Sequence, residues 1–260
     1  MGTIQNEFIG LIPAGGQAKR ISPLPCSKEL YPVGFQHDKN GLRPKVVCHY
    51  LLEKMHHAGV DKAFFVLRNG KWDIPSYFGD GTMLNMHISY LIMGLPYGVP
   101  FTLDQAYPFL KSANIVFGFP DIVFQTESAF SQLIERHKSS NADIILGLFP
   151  TDEPQKKDMV AVDEQGLVFR MDIKPQQTVL LYTWCIAVWN LIFTDFMHTY
   201  LTGMLSGMNQ VNELTMGDVI QAAMRNNLRV EGVIFRNDTC LDIGTPGDLI
   251  KAYSSMGVKD

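Results

Sequence analysis

Short runs of β-type apolar residues alternate with helical patterns along most of the chain, and this alternation restricts its fold more than any other feature. The patterns predict strands over residues 9–14, 62–67, 87–93, 114–117, 142–149 and 229–235, and a hairpin of 159–162 with 167–171. They predict helices over residues 47–57, 128–138, 216–226 and 246–253. Strands that alternate with helices are typical of an α/β protein with a mainly parallel sheet.

A loop with paired glycines follows the first predicted strand. Gly15 and Gly16 come directly after Ala14, and Arg20 and Lys28 add positive charge further along. Ligands of open α/β sheets bind at the carboxyl ends of the strands, where glycine N–H groups can cradle an anion. The glycines are equally compatible with a simple tight turn, and the cations with an ordinary surface. The loop has neither the GxxxxGK[ST] nor the GxGxxG phosphate-binding pattern.

Charge and cysteine usage narrow the possible functions. The chain has 22 Lys and Arg against 26 Asp and Glu, a net charge of -4, so no basic excess indicates a nucleic-acid partner. Cys26, Cys48, Cys185 and Cys240 are scattered and form no CxxC pair. A zinc site or a disulfide framework is therefore not expected, and reduced thiols fit a cytoplasmic protein.

No segment has the pattern of a signal peptide or a membrane span. The first predicted strand runs straight into the glycine turn, with no basic region or cleavage site before it. The longest apolar stretch, residues 179–193, is interrupted by Tyr182, Thr183 and Asn190. It is also shorter than the ~20 residues that a helical span needs. We therefore expect a cytoplasmic protein without a membrane partner.

Several segments resemble, in the same order, the motifs of the sugar-1-phosphate nucleotidyltransferases. Residues 11–23 (LIPAGGQAKRISP) are similar to the family's opening GGxGTRLxP, and residues 27–33 (SKELYPV) to the stretch that follows it. Residues 43–59 resemble its KPM helix, 103–106 (LDQA) its GLAQA and 118–121 (GFPD) its strand with Gly-Asp. Residues 172–175 (DIKP) resemble Glu-Lys-Pro, and 240–246 (CLDIGTP) resemble W-x-D-x-G-T-P, the most specific motif. Glucose-1-phosphate thymidylyltransferases and UDP-glucose pyrophosphorylases are the nearest branches.

The resemblance implies a Rossmann-like nucleotide-binding fold in one domain over residues 1–260, with sugar-binding insertions at about 150–215. It implies a Mg²⁺-dependent enzyme that transfers a nucleoside monophosphate from a nucleoside triphosphate to a sugar 1-phosphate and releases pyrophosphate. Both substrates are anions, so positioning and electrostatics would supply most of the catalysis. It also favours a homo-oligomer.

The resemblance further assigns residues to this reaction. The catalytic positions correspond to Arg20 and Lys28, and the two magnesium-binding aspartates to Asp121 and Asp242. The substrate-binding positions correspond to Ala14, Gly15, Gly16, Gln105, Asp172 and Lys174. Without the resemblance, each aspartate is equally well explained as a turn former, and each cation as a solvated side chain.

The nucleotide-binding segments depart from the family's pattern. In the segment Gln17-Ala18-Lys19 before Arg20, Ala18 stands where the family has glycine and Lys19 where it has threonine. Met93 stands where thymidylyltransferases often have a base-reading glutamine. Thr102 replaces the glycine of GLAQA, after an insertion over residues 96–101 that would narrow the slot for a base. We expect pyrimidine triphosphates to be preferred, with modest discrimination among them.

Two other functions stay open at this point. One is a glycosyltransferase on a similar fold, although such enzymes usually hold their metal with a DxD pair and residues 120–124 (PDIVF) contain one carboxylate. The other is a catalytically weakened nucleotide-sugar-binding regulator. The altered loop before Arg20 favours it, and the retained Arg20, Lys28, Asp121 and Asp242 oppose it.

Overall fold

A computed structural model describes residues 7–38, 41–94, 98–207 and 213–256. In these residues the strands are β1 (Phe8–Ala14), β2 (Pro32–Asp38), β3 (Gly41–Val46), β4 (Lys62–Arg68), β5 (His87–Met93), β6 (Asn114–Gly118), β7 (Ile122–Val123), β8 (Ile144–Pro150), β9 (Met159–Val162), β10 (Val168–Asp172), β11 (Tyr182–Trp189), β12 (Val230–Ile234) and β13 (Leu241–Asp242). The helices are α1 (Val47–His57), α2 (Asp73–Phe78), α3 (Val99–Asp104), α4 (Tyr107–Leu110), α5 (Ala129–Ser139), α6 (Leu191–Gly207), α7 (Met216–Arg225) and α8 (Pro246–Met256). Short 3-10 turns cover Lys28–Leu30, Thr82–Leu84 and Pro154–Lys156.

A nine-stranded mixed sheet forms the centre of the molecule. The strands β6, β1, β4 and β5 are neighbours in that order and all parallel. On the other side of β6, β11 runs antiparallel to both β6 and β8, and β12 pairs parallel with β8. The β9–β10 hairpin joins the sheet at the start of β11. The predicted mainly parallel α/β sheet is therefore confirmed, and so is the hairpin.

Two apolar cores lie on the two faces of this sheet. On one face α1 and α5 pack around Leu51, Phe65 and Phe130. On the other face, where α3, α6 and α7 lie, the core contains Phe117 and Trp189. Truncating one of these aromatic side chains to alanine removes on the order of 3–5 kcal/mol from the free energy of unfolding. The sheet is thus a rigid support for the loops at its edge.

Several elements were not predicted from the sequence, among them the antiparallel pair β2–β3 and the long helix α6. The helix begins after Asn190, whose side-chain oxygen accepts hydrogen bonds from the N–H groups of Ile192 and Phe193 at 2.9 and 3.2 Å. This is the capping arrangement that starts a helix.

A small two-stranded ladder of β7 with β13 lies beside the main sheet. It packs with β2, α1 and α8 through a third apolar cluster that includes Val33, Val47 and Ile243. Strand β7 of this ladder follows β6 in the chain, so the ladder lies near the carboxyl end of a central strand. Among the described helices, none combines the length and the hydrophobicity that crossing a bilayer requires.

Candidate active site

The glycine loop leaves the sheet at the end of β1. Ala14 is fully buried, and Gly15 lies so close to β5 and α3 that a Cβ there would stand 2.6 Å from Met93 Sδ and 3.5 Å from Thr102 Oγ1. Gly16 has open space, since its Cβ would meet only Lys28 Cε at 3.8 Å. The close approach explains why residue 15 has no side chain, and it places the loop next to the end of β5.

The turn before Arg20 is built around Ala18. Its carbonyl accepts hydrogen bonds from the N–H groups of Ile21 and Ser22 at 3.2 and 3.0 Å, and its φ is 52°. A positive φ is unfavourable for alanine and easy for glycine, which is the residue that the resembling family pattern has at this position. The turn directs Arg20 toward Asp242, with its guanidinium 4.0 Å from that carboxylate and its side chain 66% exposed.

Lys28 forms a half-buried ion pair with Asp121, 93 positions away in the chain. Burial alone lowers the pKa of Lys28, but the neighbouring carboxylate outweighs it and the pKa lies above its ordinary value. Burial alone likewise raises the pKa of Asp121, and the ammonium group of Lys28 outweighs it in the opposite direction. Both groups are therefore charged at neutral pH.

Asp242 lies beside Asp121 because β7 and β13 are paired. Asp242 faces Ile122 in the ladder, and the N–H of Ile243 donates to the Asp121 carbonyl at 3.0 Å. Burial and the Asp121 carboxylate raise the pKa of Asp242 to about 6, against the opposing charges of Lys28, Arg20 and Lys157. Its Oδ1 is buried and has no hydrogen-bond partner among the described residues.

These two aspartates fit a magnesium site. Mg²⁺ is usually held in enzymes by one or two carboxylates together with substrate phosphates. The pair supplies that number, and the unpartnered Oδ1 of Asp242 is a free ligand atom. In the part of the chain that the structure describes, no group of three or more His, Cys, Asp or Glu side chains forms a complete site. The remaining ligands would thus come from phosphate and water.

A large open cavity of about 1210 Å³ starts at Arg20 and Asp242. Its cationic lining residues are Arg20, Lys156, Lys157, Lys174, Arg236 and Lys251. The lining also contains the acidic residues Asp152, Glu153, Glu213, Asp242 and Asp248. Glu153 pairs with Lys156 and Lys251, so an anion would bind at the other basic side chains of the cavity. Lys174 is held with a positive φ of 41°. It lies beside Asp158, whose pKa is raised to about 6 chiefly by burial, with Lys174 opposing.

Two of the expected substrate-binding residues lie elsewhere. Asp172 accepts two hydrogen bonds from Arg170, at 3.0 and 2.8 Å, and does not line the cavity. Gln105 is exposed, donates to the carbonyl of Phe101 at 3.4 Å, and does not line the cavity either. Arg20, Lys174 and Asp242 line the cavity. Lys28 and Asp121 do not line it, but they lie next to Asp242, because Asp121 is bonded to the backbone of Ile243 and pairs with Lys28. Asp172 and Gln105 have neither of these placements.

Lys157 is a cavity residue that the sequence did not single out. Its ammonium group donates to the Cys240 carbonyl at 2.9 Å and lies 3.5 Å from Cys240 Sγ. This contact ties the segment before β9 to the chain just before Asp242. The adjacent lysines at 156 and 157, within the expected sugar-binding insertion, were the available signal.

The end of β5 lies next to Gly15. The Thr102 hydroxyl lies within hydrogen-bond distance of two acceptors, the Gly98 carbonyl at 3.1 Å and Met93 Sδ at 3.3 Å. Met93 and Thr102, which both differ from the family pattern, therefore contact each other. Residues 96 and 97 of the predicted narrowing insertion lie outside the described residues, and residues 98–101 lead into and form the start of α3.

Comparison with known proteins adds to this geometry. The profile of the family described as nucleotidyl transferase matches residues 9–257. The low-salt glycan biosynthesis nucleotidyltransferase Agl11 of Haloferax volcanii is 23% identical over 251 residues, which are 94% of this chain and 64% of that protein. The chain thus spans somewhat less than two thirds of the length of this curated relative.

Two solved structures have a similar fold. A Bacillus anthracis protein assigned as a glucose-1-phosphate thymidylyltransferase, solved in complex with a sucrose, has a TM-score of 0.80 and 16% identity, over 96% of this chain and 95% of its own. The inositol-1-phosphate CTP transferase of T. maritima has a TM-score of 0.74 and 17% identity, over 96% of this chain and 95% of its own. This likeness confirms the predicted Rossmann-like α/β fold.

Proposed function

Because this chain belongs to the nucleotidyl transferase family, we propose that it transfers a nucleoside monophosphate from a nucleoside triphosphate to a sugar 1-phosphate. The observation that carries the proposal is a pair of ionic contacts, one at the end of the cavity and the other next to it. Arg20, in the loop after β1, pairs with Asp242 of β13. Lys28, at the start of a 3-10 turn, pairs with Asp121, which directly precedes β7. Agl11 and the two structural neighbours support it through the activities in their names.

The reaction is an in-line displacement at the α-phosphorus. An oxygen of the sugar phosphate forms a new bond to that phosphorus, the bond to the β-phosphate oxygen breaks, and pyrophosphate leaves with the electron pair. Arg20, largely exposed at the cavity mouth, is free to move onto the triphosphate and to stabilise charge on the α-phosphate and the leaving group. Lys28 is fixed by its buried contact and supplies a positioned charge beside it.

Asp121 and Asp242 would hold the magnesium ion. When bound there, such an ion stabilises the negative charge of the phosphate oxygens and orients them. The raised pKa of Asp242, caused by burial and by Asp121, marks a carboxylate that is short of positive charge. A divalent cation with phosphate ligands would provide that charge, so the chain's own electrostatics support the metal.

The acceptor would bind along the cavity beyond the triphosphate. Lys174, in the segment after β10, and Lys157 both line the cavity, and Lys174 would contact the sugar phosphate. These ammonium groups bind an anion equally in the ground and transition states, so they would set affinity more than turnover. Residues 150–215, which supply much of this wall, are the expected sugar-binding insertions.

We also propose a preference for pyrimidine triphosphates. Gly15 lets the backbone lie against a flat base, and Met93 and Thr102 narrow the space beside it. Because the Thr102 hydroxyl already has partners within the protein, few polar groups would be left unpaired by a wrong base. Discrimination among pyrimidines should then be modest. Assembly as a homo-oligomer stays a prediction.

A panel assay tests the proposal. Pyrophosphate release is measured with dTTP, UTP, CTP, ATP and GTP, each with several sugar 1-phosphates and Mg²⁺, and Asp121→Asn serves as the inactive control. The proposal expects product with at least one pair, and faster release with pyrimidines. Sugar transfer from a nucleotide sugar without pyrophosphate would indicate a glycosyltransferase. Nucleotide-sugar binding without turnover would indicate a regulator.

A further inference from the structure

Lys28 stands on a very short element. It is the first residue of the 3-10 turn Lys28–Leu30, and Ser27 before it makes no side-chain cap to that turn. A three-residue 3-10 turn has few hydrogen bonds of its own, so its geometry depends on contacts with the rest of the fold. The position of the Lys28 ammonium group is therefore determined by what holds residues 27–30.

Asp73 holds the residue before Lys28 with both carboxylate oxygens. The backbone N–H of Ser27 donates to Oδ2 at 2.6 Å, and the Ser27 hydroxyl donates to Oδ1 at 2.8 Å. Asp73 is the first residue of α2, 46 positions further along the chain. A carboxylate that accepts two bonds from one residue fixes both its backbone and its side chain.

Lys71 holds the residue after Lys28. Its ammonium group donates to Glu29 Oε1 at 2.6 Å, and the two side chains are only 5% and 1% exposed. Glu29 Oε2 has no hydrogen-bond partner among the described residues. A buried ion pair contributes little net stability compared with apolar side chains of similar size, so its presence calls for another reason.

The two contacts come from one short segment and enclose one residue. Lys71 and Asp73 are two positions apart, as are Ser27 and Glu29, and Lys28 lies between the latter two. Trp72, between the two holding residues, is 55% exposed, so the side chains on either side of it reach inward together. The charge of Lys71 also favours the ionised form of Asp121, the partner of Lys28.

We propose that Lys71 and Asp73 are positioning residues, which fix the 3-10 turn on both sides of Lys28 so that its ammonium group is presented to the triphosphate. This role rests on the proposed function, since it acts through Lys28. Asp73 fixes Ser27 on the N-terminal side of Lys28, and Lys71 fixes the side chain of Glu29 on its C-terminal side. The side chain of Asp73 is bonded to Ser27 and that of Lys71 to Glu29, so each acts on Lys28 through a neighbouring residue.

A double-mutant cycle tests the proposal. The variants are Asp73→Asn, Lys28→Ala and both together, with Asp80→Asn as matched control, because Asp80 accepts from the backbone N–H of Thr82 at 3.0 Å beyond the other end of α2. Asp73→Asn should lower kcat about tenfold with little change in KM, and should have no further effect when Lys28 is already alanine. Asp80→Asn should behave as the wild type.

A second measurement does not depend on turnover. Amide hydrogen exchange of residues 27–30 should be faster in Asp73→Asn and unchanged in Asp80→Asn. Because Lys71→Met alone leaves a buried carboxylate unpaired, Lys71 is tested by changing Glu29→Gln and Lys71→Met together, which should also speed exchange of residues 27–30.

The outcomes separate this proposal from the proposed function. Equal kinetic effects of Asp73→Asn with and without Lys28, or unchanged exchange of residues 27–30, would overturn the positioning role. A wild-type protein without turnover on any substrate pair, but with the expected exchange, would instead overturn the nucleotidyltransferase function and leave the holding contacts supported.

Discussion

Asp121 directly precedes β7 and Asp242 ends its partner strand β13, and their environments shift the pKa values of the two carboxyl groups in opposite directions. Lys28 overcomes burial and keeps the pKa of Asp121 below its ordinary value, whereas burial and the Asp121 charge raise the pKa of Asp242 to about 6. One carboxylate is thus neutralised by the protein and the other is not. This asymmetry is the reason to expect a cation between them when the site is in use.

Removing either carboxylate should abolish most of the activity. We expect Asp121→Asn and Asp242→Asn each to lower kcat with saturating Mg²⁺ by on the order of 10²–10³, the typical effect of losing a group that stabilises charge in the transition state. Steady-state kinetics on the purified variants, with Asp61→Asn on an exposed turn as control, measure this. Near-normal rates for both variants would remove the pair from the metal site.

The same site should make stability depend on pH. An unfolded aspartate has a pKa of about 3.9, so across the window from there to about 6 the folded protein binds the Asp242 proton more tightly than the unfolded chain does. Stability contributed by this group is complete below the unfolded pKa and is lost as pH rises through about 6. Asp242→Asn should therefore raise the melting temperature at pH 7.5 without metal, and change it little at pH 4.

Thermal unfolding at the two pH values checks this. Adding Mg²⁺ at pH 7.5 should raise the melting temperature of the wild type and not that of Asp242→Asn. A variant that is less stable than the wild type at both pH values would contradict the electrostatic account, because it would mean that the ionised carboxylate stabilises the fold.

Arg20 and Lys174 should affect different kinetic constants. Arg20 would act on charge that develops in the transition state, so Arg20→Ala should lower kcat by on the order of 10²–10³. Lys174 would bind the sugar phosphate in the ground state, so Lys174→Ala should mainly raise KM for that substrate. Steady-state kinetics with each substrate varied in turn distinguish the two, and the reverse order would reject these roles.

The architecture was predictable because it depends on local patterns. The buried strands and the amphipathic helices have clear periods, and all those predicted are present with ends shifted by a few residues. Helix α6 was missed because it is apolar on most sides and follows directly on the apolar strand β11. The β2–β3 pair was missed because Pro44 and several exposed polar residues interrupt its alternation.

The candidate site was predictable only in part. Motif positions identified Arg20, Lys28, Asp121 and Asp242, which the structure brings together. Contacts between distant segments carry no local signal, so the hydrogen bonds of Asp73 to Ser27, 46 positions apart, required the structure. In the same way, nothing local in the sequence indicated that Lys157 would contact the segment of Asp242.

The two glycines of the first loop should respond differently to alanine. A Cβ at residue 15 would stand 2.6 Å from Met93 Sδ, which is buried, whereas one at residue 16 would be in ordinary contact at 3.8 Å. We expect Gly15→Ala to destabilise the fold by ~1–3 kcal/mol, as overpacking does, and Gly16→Ala to change stability little. Chemical denaturation measures both. In a double-mutant cycle, Gly15→Ala should cost less in the Met93→Ala background than in the wild type, because the clashing sulfur atom is then absent.

The last prediction concerns Gly244, between the metal site and α8. A Cβ there would stand 2.8 Å from the Arg20 guanidinium and 3.0 Å from Asp242 Oδ2, so Gly244→Ala must displace one of them. Because the Arg20 side chain is 66% exposed, it can move away at little cost in stability. We therefore expect Gly244→Ala to lower kcat by about the same factor as Arg20→Ala, with an unchanged melting temperature.

Gly247→Ala is the matched control, since its Cβ would meet only Thr245 Oγ1 at 3.9 Å. It should keep full activity and gain slightly in stability, as alanine does in a helix. A fully active Gly244→Ala would show that Arg20 need not lie beside Asp242 during turnover.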